Sequence, residues 1–211
     1  NSKGDVKNME LSHTQRDALR ELGNIGAAHA ATTLSTMLMS NIEMDVPEIH
    51  LIDISKVYEH VGDEIAALVL FQITGEVSGG GYVLLHIPKN SVIRLTNAML
   101  GMTDLDRDLT EMDESALLEI GNIMVSAFLD ATAGLLDVIM LPSPPSLIVD
   151  MPHAAFQSII TAQDAFDINE VVLFRTELKS DQHKITSNLF LLPNPPMLTD
   201  ILEMLDKLLT P

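Results

Sequence analysis

The sequence has no cysteine and no tryptophan, and only 4% of its 211 residues are aromatic. The absence of cysteine excludes disulfide bonds and thiolate chemistry, and it suits a reducing cytoplasm. So few aromatic side chains disfavour a surface that stacks nucleic-acid bases or sugar rings. No run of about 18 uncharged apolar residues occurs, so no membrane span is expected. The polar start, NSKGDVKN, predicts a flexible segment rather than a signal peptide.

Basic residues are scarce as well, since 12 Lys and Arg stand against 30 Asp and Glu, which gives a net charge of -18. This charge disfavours nucleic acid and anionic membranes as partners, because both carry dense negative charge. Solubility is the simplest consequence of the acidity. Hydrophobic residues, by contrast, make up 46% of the chain, enough to bury a sizeable core at this length. These features predict a globular protein of the cytoplasm.

The sequence contains an internal duplication. The stretch ELGNIGAA begins at Glu21, EIGNIMVS begins at Glu119, and matching residues lie 98 positions apart. Further along, Pro88 and Pro193 lie 105 positions apart, so the second half carries a small insertion. We predict a single domain made of two repeats, and the ranges are 1–211 for the domain, 14–103 and 112–209 for the repeats.

Both repeats show the same order of predicted elements. A long helix, residues 14–39 or 112–136, is followed by a strand, a hairpin and a shorter helix. In the first helix Thr14 is the expected cap, and Asp17 is expected in the first turn. The hairpin turns and the acidic connection between the repeats are expected at 78–81, 180–183 and 101–114. Because each repeat has too few strands for its own core, we expect both to share one continuous sheet.

One face of each long helix carries polar residues at i, i+4 and i+7, a spacing that places them on one stripe. The longer pattern D/S-x3-E-x2-N-x22-P occurs once in each repeat. Its positions are Asp17, Glu21, Asn24, Pro47, Ser115, Glu119, Asn122 and Pro145. A single such pair usually marks a solvated face. Here the surrounding residues have diverged while these positions agree, which favours a function for both copies.

A glycine precedes each Asn of the motif, Gly23 in the first repeat and Gly121 in the second. Glycine inside a helix costs about 1 kcal/mol relative to alanine. Because it lacks a Cβ atom, it lets another group approach the helix closely. The approaching group can belong to a partner's cleft or to the core of this chain, and the sequence leaves both alternatives open.

The motif residues suit a role in phosphoryl transfer. A carboxamide such as that of Asn24 or Asn122 presents a donor and an acceptor on one plane, so it can hold a water by its oxygen while its nitrogen faces an anion. Alignment of the attacking water is a large part of catalysis in this chemistry. The neighbouring Glu suits a different task, pairing with a Lys of the partner.

Other candidate sites are weaker. The histidines show no i, i+4 pair, so no metal site is expected. They are His13, His29, His50, His60, His86, His153 and His183. The stretch SGGG is not a phosphate-binding loop, because no Lys and helix follow it. The acidic residues of 104–114 predict a solvated connection rather than a cation site.

The doubled motif resembles that of the CheC/CheX/FliY phosphatases of bacterial and archaeal chemotaxis, and the resemblance covers nearly the whole chain. Two motifs in a chain of this length are similar to CheC-type members. The resemblance implies an α/β (α+β) fold, a pseudo-twofold duplicated unit with an antiparallel sheet of about six strands. Both motif helices are expected on one face. The implied activity is dephosphorylation of the aspartyl phosphate of the chemotaxis response regulator CheY.

The resemblance also implies roles for the motif residues. Asn24 and Asn122 would align the attacking water, and Glu21 and Glu119 would pair with the regulator's Lys. The remaining motif positions would support the structure, and these are Asp17, Pro47, Ser115 and Pro145. No cofactor is expected on this chain, since Mg²⁺ would belong to the regulator.

Two partners are implied by the resemblance, the phosphorylated CheY-type regulator and the deamidase CheD, and the chain is expected to be a monomer. An alternative function stays open at this point. The chain could be a docking or adaptor module, for a regulator or for CheD, that binds without hydrolysis.

Overall fold

The computed structural model describes residues 10–77, 80–162, 168–180 and 184–210. Five α-helices, one 3₁₀ helix and seven strands lie within these ranges. In chain order they are α1 (His13–Leu38), β1 (Ile42–Asp53), the 3₁₀ helix (Ile54–His60), β2 (Ala66–Gly75), β3 (Gly81–Pro88), α2 (Lys89–Leu100), α3 (Glu111–Leu136), β4 (Met140–Pro142), β5 (Ser146–Asp150), α4 (Pro152–Ala162), β6 (Glu170–Ser180), β7 (Lys184–Pro193) and α5 (Pro195–Leu209). Of the predicted turns, residues 78–79 and 181–183 fall outside the described ranges.

The strands form one antiparallel sheet in the order β1-β6-β7-β3-β2-β4, and β5 also pairs with β2. The sheet has seven strands rather than the expected six. The difference arises because the counterpart of β1 in the second repeat is split into two strands, β4 and β5. Pro144 and Pro145 lie between β4 and β5, and proline cannot donate a ladder hydrogen bond. The matching strand of the first repeat, β1, is continuous, with an irregularity in its register between Asp45 and Glu48.

Strands of the two repeats interlock in this sheet. The first strand of each repeat pairs with the hairpin of the other, since β1 lies beside β6 and β5 lies beside β2. The two hairpins meet at the centre, where β3 pairs with β7. Each repeat therefore keeps its hairpin together while its first strand joins the other repeat, and the sheet is continuous from one repeat to the other.

The helices cover the two faces of the sheet unequally. Along β2, Val69 and Phe71 pack in the larger core cluster with α1, α2, α3 and α5, whereas Leu68 and Leu70 face a smaller cluster with α4 and the 3₁₀ helix. Both motif helices thus lie on the same face, as expected. By length and apolar composition α3 meets the minimum for a membrane span, but 61% of its most apolar stretch is buried inside the fold, as in a core helix. Helix α4, at residues 152–162, is not among the elements predicted from the sequence.

The start of α1 differs from the prediction. Ser12, not Thr14, is the N-cap, and its hydroxyl accepts a hydrogen bond from the backbone N–H of Gln15 at 3.1 Å. The Gln15 side chain accepts one from the Ser12 backbone N–H at 3.0 Å, which completes a capping box. Because the helix begins at His13, Asp17 lies past the first turn, where its carboxylate is 2.9 Å from the His13 imidazole.

His86 is a buried histidine that makes stability depend on pH. Its Nδ1 lies 3.1 Å from the Asn188 amide nitrogen, and its Nε2 is buried without a partner among the described residues. Burial lowers the pKa of His86 from 6.5 to about 4. Below pH 6.5 the unfolded chain therefore gains a proton here that the folded chain does not take up until about pH 4.

Because of this lowered pKa, we expect the free energy of unfolding to fall by about 2–3 kcal/mol between pH 7 and pH 4.5. Urea unfolding at the two pH values measures the loss in the wild type and in His86→Leu. The substitution should remove this part of the pH dependence, whereas His153→Gln, at an exposed position, should keep it. An equal pH dependence in His86→Leu and the wild type would contradict the assignment.

Candidate functional site

The two motif helices, α1 and α3, pack side by side on the sheet. Gly26 of α1 makes the approach possible, because a Cβ atom there would lie 3.0 Å from the Cα atom of Phe128 in α3. The Phe128 ring in turn meets Phe174 of β6 edge-to-face, with ring centroids 5.0 Å apart. The close approach of α1 and α3 at Gly26 and Phe128 brings the two polar stripes to the same face of the protein.

The motif glycines serve packing within the chain. A Cβ atom on Gly23 would lie 3.0 Å from the Phe174 ring, and one on Gly121 would lie 3.0 Å from a methyl group of Val69. Both glycines are buried. Of the two alternatives that the sequence left open, the structure selects the core of this chain rather than a partner's cleft. The next residue in each helix is Asn, and it is less buried than the glycine in both cases.

The structure places the motif carboxylates alike and the motif amides differently. Glu21, Glu119 and Asn122 are exposed, whereas Asn24 is half-buried. Of the supporting positions, Asp17, Pro47 and Ser115 are exposed and Pro145 is half-buried. The expected outward projection therefore holds for both Glu residues and for Asn122, and only in part for Asn24.

Asn24 is tied to β1 of its own repeat. Its Oδ1 accepts a hydrogen bond from the backbone N–H of Val46 at 3.0 Å. Val46 lies at the register irregularity of β1, where it has no partner in β6, so its N–H is free to bond the helix. Pro47 follows directly, and a residue before proline is held in extended backbone. The constant spacing from Asn to Pro in the motif reflects this contact, because it sets the position of β1 beside the helix.

Asn122 lies free on α3. It makes no hydrogen bond within the described part of the chain. It lines an open groove of about 570 Å³ between the two motif helices. The polar residues around this groove are His29, Thr32, Thr33, Ser126 and Asp130. Both the donor and the acceptor of this amide are thus available to a ligand or partner.

The charges that flank the two Glu residues also differ. Arg16 and Arg20 of α1 are exposed near Glu21, whereas the equivalent positions of α3 hold Glu114 and Leu118. The surroundings of Glu119 therefore carry more negative charge than those of Glu21. Within the described ranges, no three His, Asp or Glu side chains are grouped so that they could hold a metal ion.

Comparison with known proteins shows that both motif regions are similar to one family. The model of the CheC-like family matches residues 15–51 and again residues 112–149. Each match contains one complete copy of the D/S-x3-E-x2-N-x22-P pattern. The second match begins 97 residues after the first and ends 98 residues after it.

Individual relatives agree with this assignment. The CheY-P phosphatase CheC of Bacillus subtilis (strain 168) is 29% identical over 190 residues, which cover 87% of this chain and 90% of that protein. The flagellar motor switch phosphatase FliY of the same organism is 29% identical over 120 residues, 56% of this chain and 31% of FliY. The crystal structure of Thermotoga maritima FliY superposes with a TM-score of 0.77 at 22% identity, covering 94% of this chain and 99% of that one. This structural likeness concerns the fold.

Proposed function

We propose that the chain is a member of the CheC-like family and a phosphatase that hydrolyses the aspartyl phosphate of a CheY-type response regulator. The observation that carries the proposal is the doubled Glu/Asn pair. Both Glu residues and Asn122 are exposed on helices whose inner side is packed on the sheet, and Asn24 is half-buried. The names of the relatives, CheY-P phosphatase CheC and flagellar motor switch phosphatase FliY, support the same reaction class.

We assign different roles to the two residue types. The carboxamide of Asn122, and that of Asn24 to the extent that it is accessible, aligns the water that attacks the phosphorus. Glu119 and Glu21 pair with a Lys of the regulator and fix the docked geometry. Asp17, Pro47, Ser115 and Pro145 support the two motifs. The exposed position of both carboxylates, one helical turn from the amides, supports this division of roles.

The rest of the proposal follows from the same resemblance. The acyl phosphate and its Mg²⁺ belong to the regulator, so this chain requires no cofactor of its own. It acts as a monomer in the cytoplasm and also binds the deamidase CheD. No residues of this chain are assigned to the CheD surface.

The decay of a phosphorylated CheY-type regulator tests the proposal. The regulator is labelled with ³²P at its aspartate, and loss of label is followed with and without catalytic amounts of this protein. A faster, multiple-turnover decay supports a phosphatase. An unchanged decay, combined with measurable binding of the regulator, identifies the alternative, a docking or adaptor module for a regulator or for CheD.

The Glu residues should affect docking more than turnover. A salt bridge to the regulator's Lys is present before the transition state as well as in it, so its loss raises KM and leaves kcat nearly unchanged. For Glu21→Ala/Glu119→Ala we expect a rise in KM of about five- to thirty-fold, or about 1–2 kcal/mol. Steady-state kinetics over a range of regulator concentrations measures both constants.

A matched control is Glu203→Ala, which removes an exposed carboxylate from α5. It should leave KM within about two-fold of the wild type, because surface charges away from an interface contribute little. A fall in kcat with an unchanged KM in the double Glu variant would assign these residues to the chemical step instead.

A further inference from the structure

The two motif amides have unequal hydrogen-bonding freedom. The oxygen of Asn24 is held by the Val46 N–H, and the side chain is half-buried. Asn122 is exposed and has no hydrogen-bond partner within the described ranges. The orientation of the Asn24 amide follows from chemistry, because a backbone N–H can bond only to the acceptor oxygen and not to the NH₂ group.

This orientation matters for a residue that must hold water by its oxygen. The Asn24 oxygen faces β1, which leaves the NH₂ group as the part directed away from the strand. Val46 is 2% exposed, so turning the oxygen toward a regulator would leave a buried N–H without a partner. A buried, unpaired donor is strongly unfavourable, so the bond opposes use of the oxygen in catalysis.

The second repeat cannot form the equivalent bond. The residue 98 positions after Val46 is Pro144, which lies in the break between β4 and β5. Proline has no backbone N–H. The position that captures the amide oxygen in the first repeat therefore has no donor in the second, and Asn122 stays available.

We infer that the two sites are unequal, with Asn122 carrying most of the turnover and the Val46 N–H acting as a positioning group that holds Asn24 in a less active orientation. The inference rests on the proposed phosphatase function. Glu21 remains exposed in the first site, so that site keeps its docking carboxylate while its amide turns over more slowly.

Single substitutions test the inequality. Because two sites on one chain contribute additively to the rate, Asn122→Ala should lose about four fifths or more of the regulator dephosphorylation, and Asn24→Ala about one fifth or less. Thermal unfolding is the second readout, and it does not depend on the regulator. Asn24→Ala leaves the Val46 N–H unpaired and should lower Tm by about 3–8 °C. Asn122→Ala should change Tm by less than about 2 °C.

Two further variants separate the hydrogen bond from other effects. Asn24→Asp keeps an oxygen that can accept from Val46, so its Tm should stay within about 2 °C of the wild type. In the Asn122→Ala background, Val46→Pro removes the donor, as Pro144 does in the second repeat, and should raise the residual rate several-fold. Should Val46→Pro fail to fold, the rates and Tm values of the single Asn variants still decide.

The outcomes are distinguishable. Equal losses of rate from Asn24→Ala and Asn122→Ala, or equal changes in Tm, overturn the inequality and leave the proposed function standing. A wild-type protein that does not accelerate decay of the phosphorylated regulator overturns both.

Discussion

Replacing Asn24 and Asn122 together by Ala should lower the rate of regulator dephosphorylation about 10²–10³-fold. The estimate takes the loss of a preorganised group that acts on the transition state as about 2.7–4 kcal/mol. The double variant must fall well below either single variant, because each repeat holds its own amide and one remaining site still turns over. The measurement is the decay of the labelled regulator at saturating regulator concentration.

A matched control replaces two other exposed asparagines, Asn41 and Asn90, by Ala. Neither belongs to the motif, so the rate should stay close to that of the wild type. The assay temperature must lie well below the Tm of each variant, because Asn24→Ala also removes the hydrogen bond to Val46. A double Asn variant with the wild-type rate would show that the motif amides do not act in the reaction, and the docking alternative would take the place of the phosphatase.

Replacing Arg107 by Ala should destabilise the fold by about 3–5 kcal/mol, the typical effect of leaving one partner of a buried ion pair alone. Arg107 lies in the connection between the repeats, and its side chain is only 10% exposed. Its guanidinium contacts both carboxylate oxygens of Asp113, at 2.6 and 2.7 Å, and Asp113 is fully buried. It also donates to the side-chain oxygen of Asn97 at the end of α2.

Asp113 connects this pair to the start of α3. Its carboxylate accepts hydrogen bonds from the backbone N–H and the hydroxyl of Thr110, the N-cap residue. The hydrogen bonds from Arg107 hold the pKa of Asp113 well below its usual value of 3.8. The resulting stabilisation is complete above pH 3.8 and is lost as the pH falls further, since the unfolded chain then takes up the proton first.

Urea unfolding at pH 7 measures the effect of Arg107→Ala. Arg94→Ala is the control, because Arg94 is exposed on α2, and it should change the unfolding free energy by less than about 0.5 kcal/mol. A loss below about 1 kcal/mol for Arg107→Ala would mean that the network contributes little. If Arg107→Ala causes a large loss of unfolding free energy, we expect the start of α3 to be displaced. Ser115 and Glu119 would then move, and the second site would turn over more slowly.

The predicted acidic connection at 101–114 was therefore correct only in part. Most of its residues are exposed, as a solvated segment requires. Charge counting did not identify Arg107 as largely buried, because the side chains that it contacts come from two different helices, Thr96 and Asn97 from α2 and Asp113 from α3. Only the packed fold brings these groups to one place.

Local features of the chain could be predicted from the sequence because they depend on neighbouring residues. Apolar residues at helical spacing predicted α1 and α3 to within a residue at each end, and a shorter helix was predicted after the hairpin, where α2 lies. The spacing of Glu21 and Asn24, and of Glu119 and Asn122, placed each pair on one face of a helix. The doubled motif also predicted the similarity to the CheC-like family and, with it, the mixed α/β fold.

What only the tertiary structure decided depends on residues that are distant in the chain. Strands are exchanged between the repeats, because β1 pairs with β6 and β5 pairs with β2. The order of elements along the chain does not predict which edge of the sheet each strand joins. The same holds for the two motif amides, which are identical in the sequence pattern. Strand register brings the Val46 N–H to Asn24, whereas Pro144 offers no donor to Asn122. The difference between the sites thus comes from the backbone that packs beside each helix, not from the motif itself.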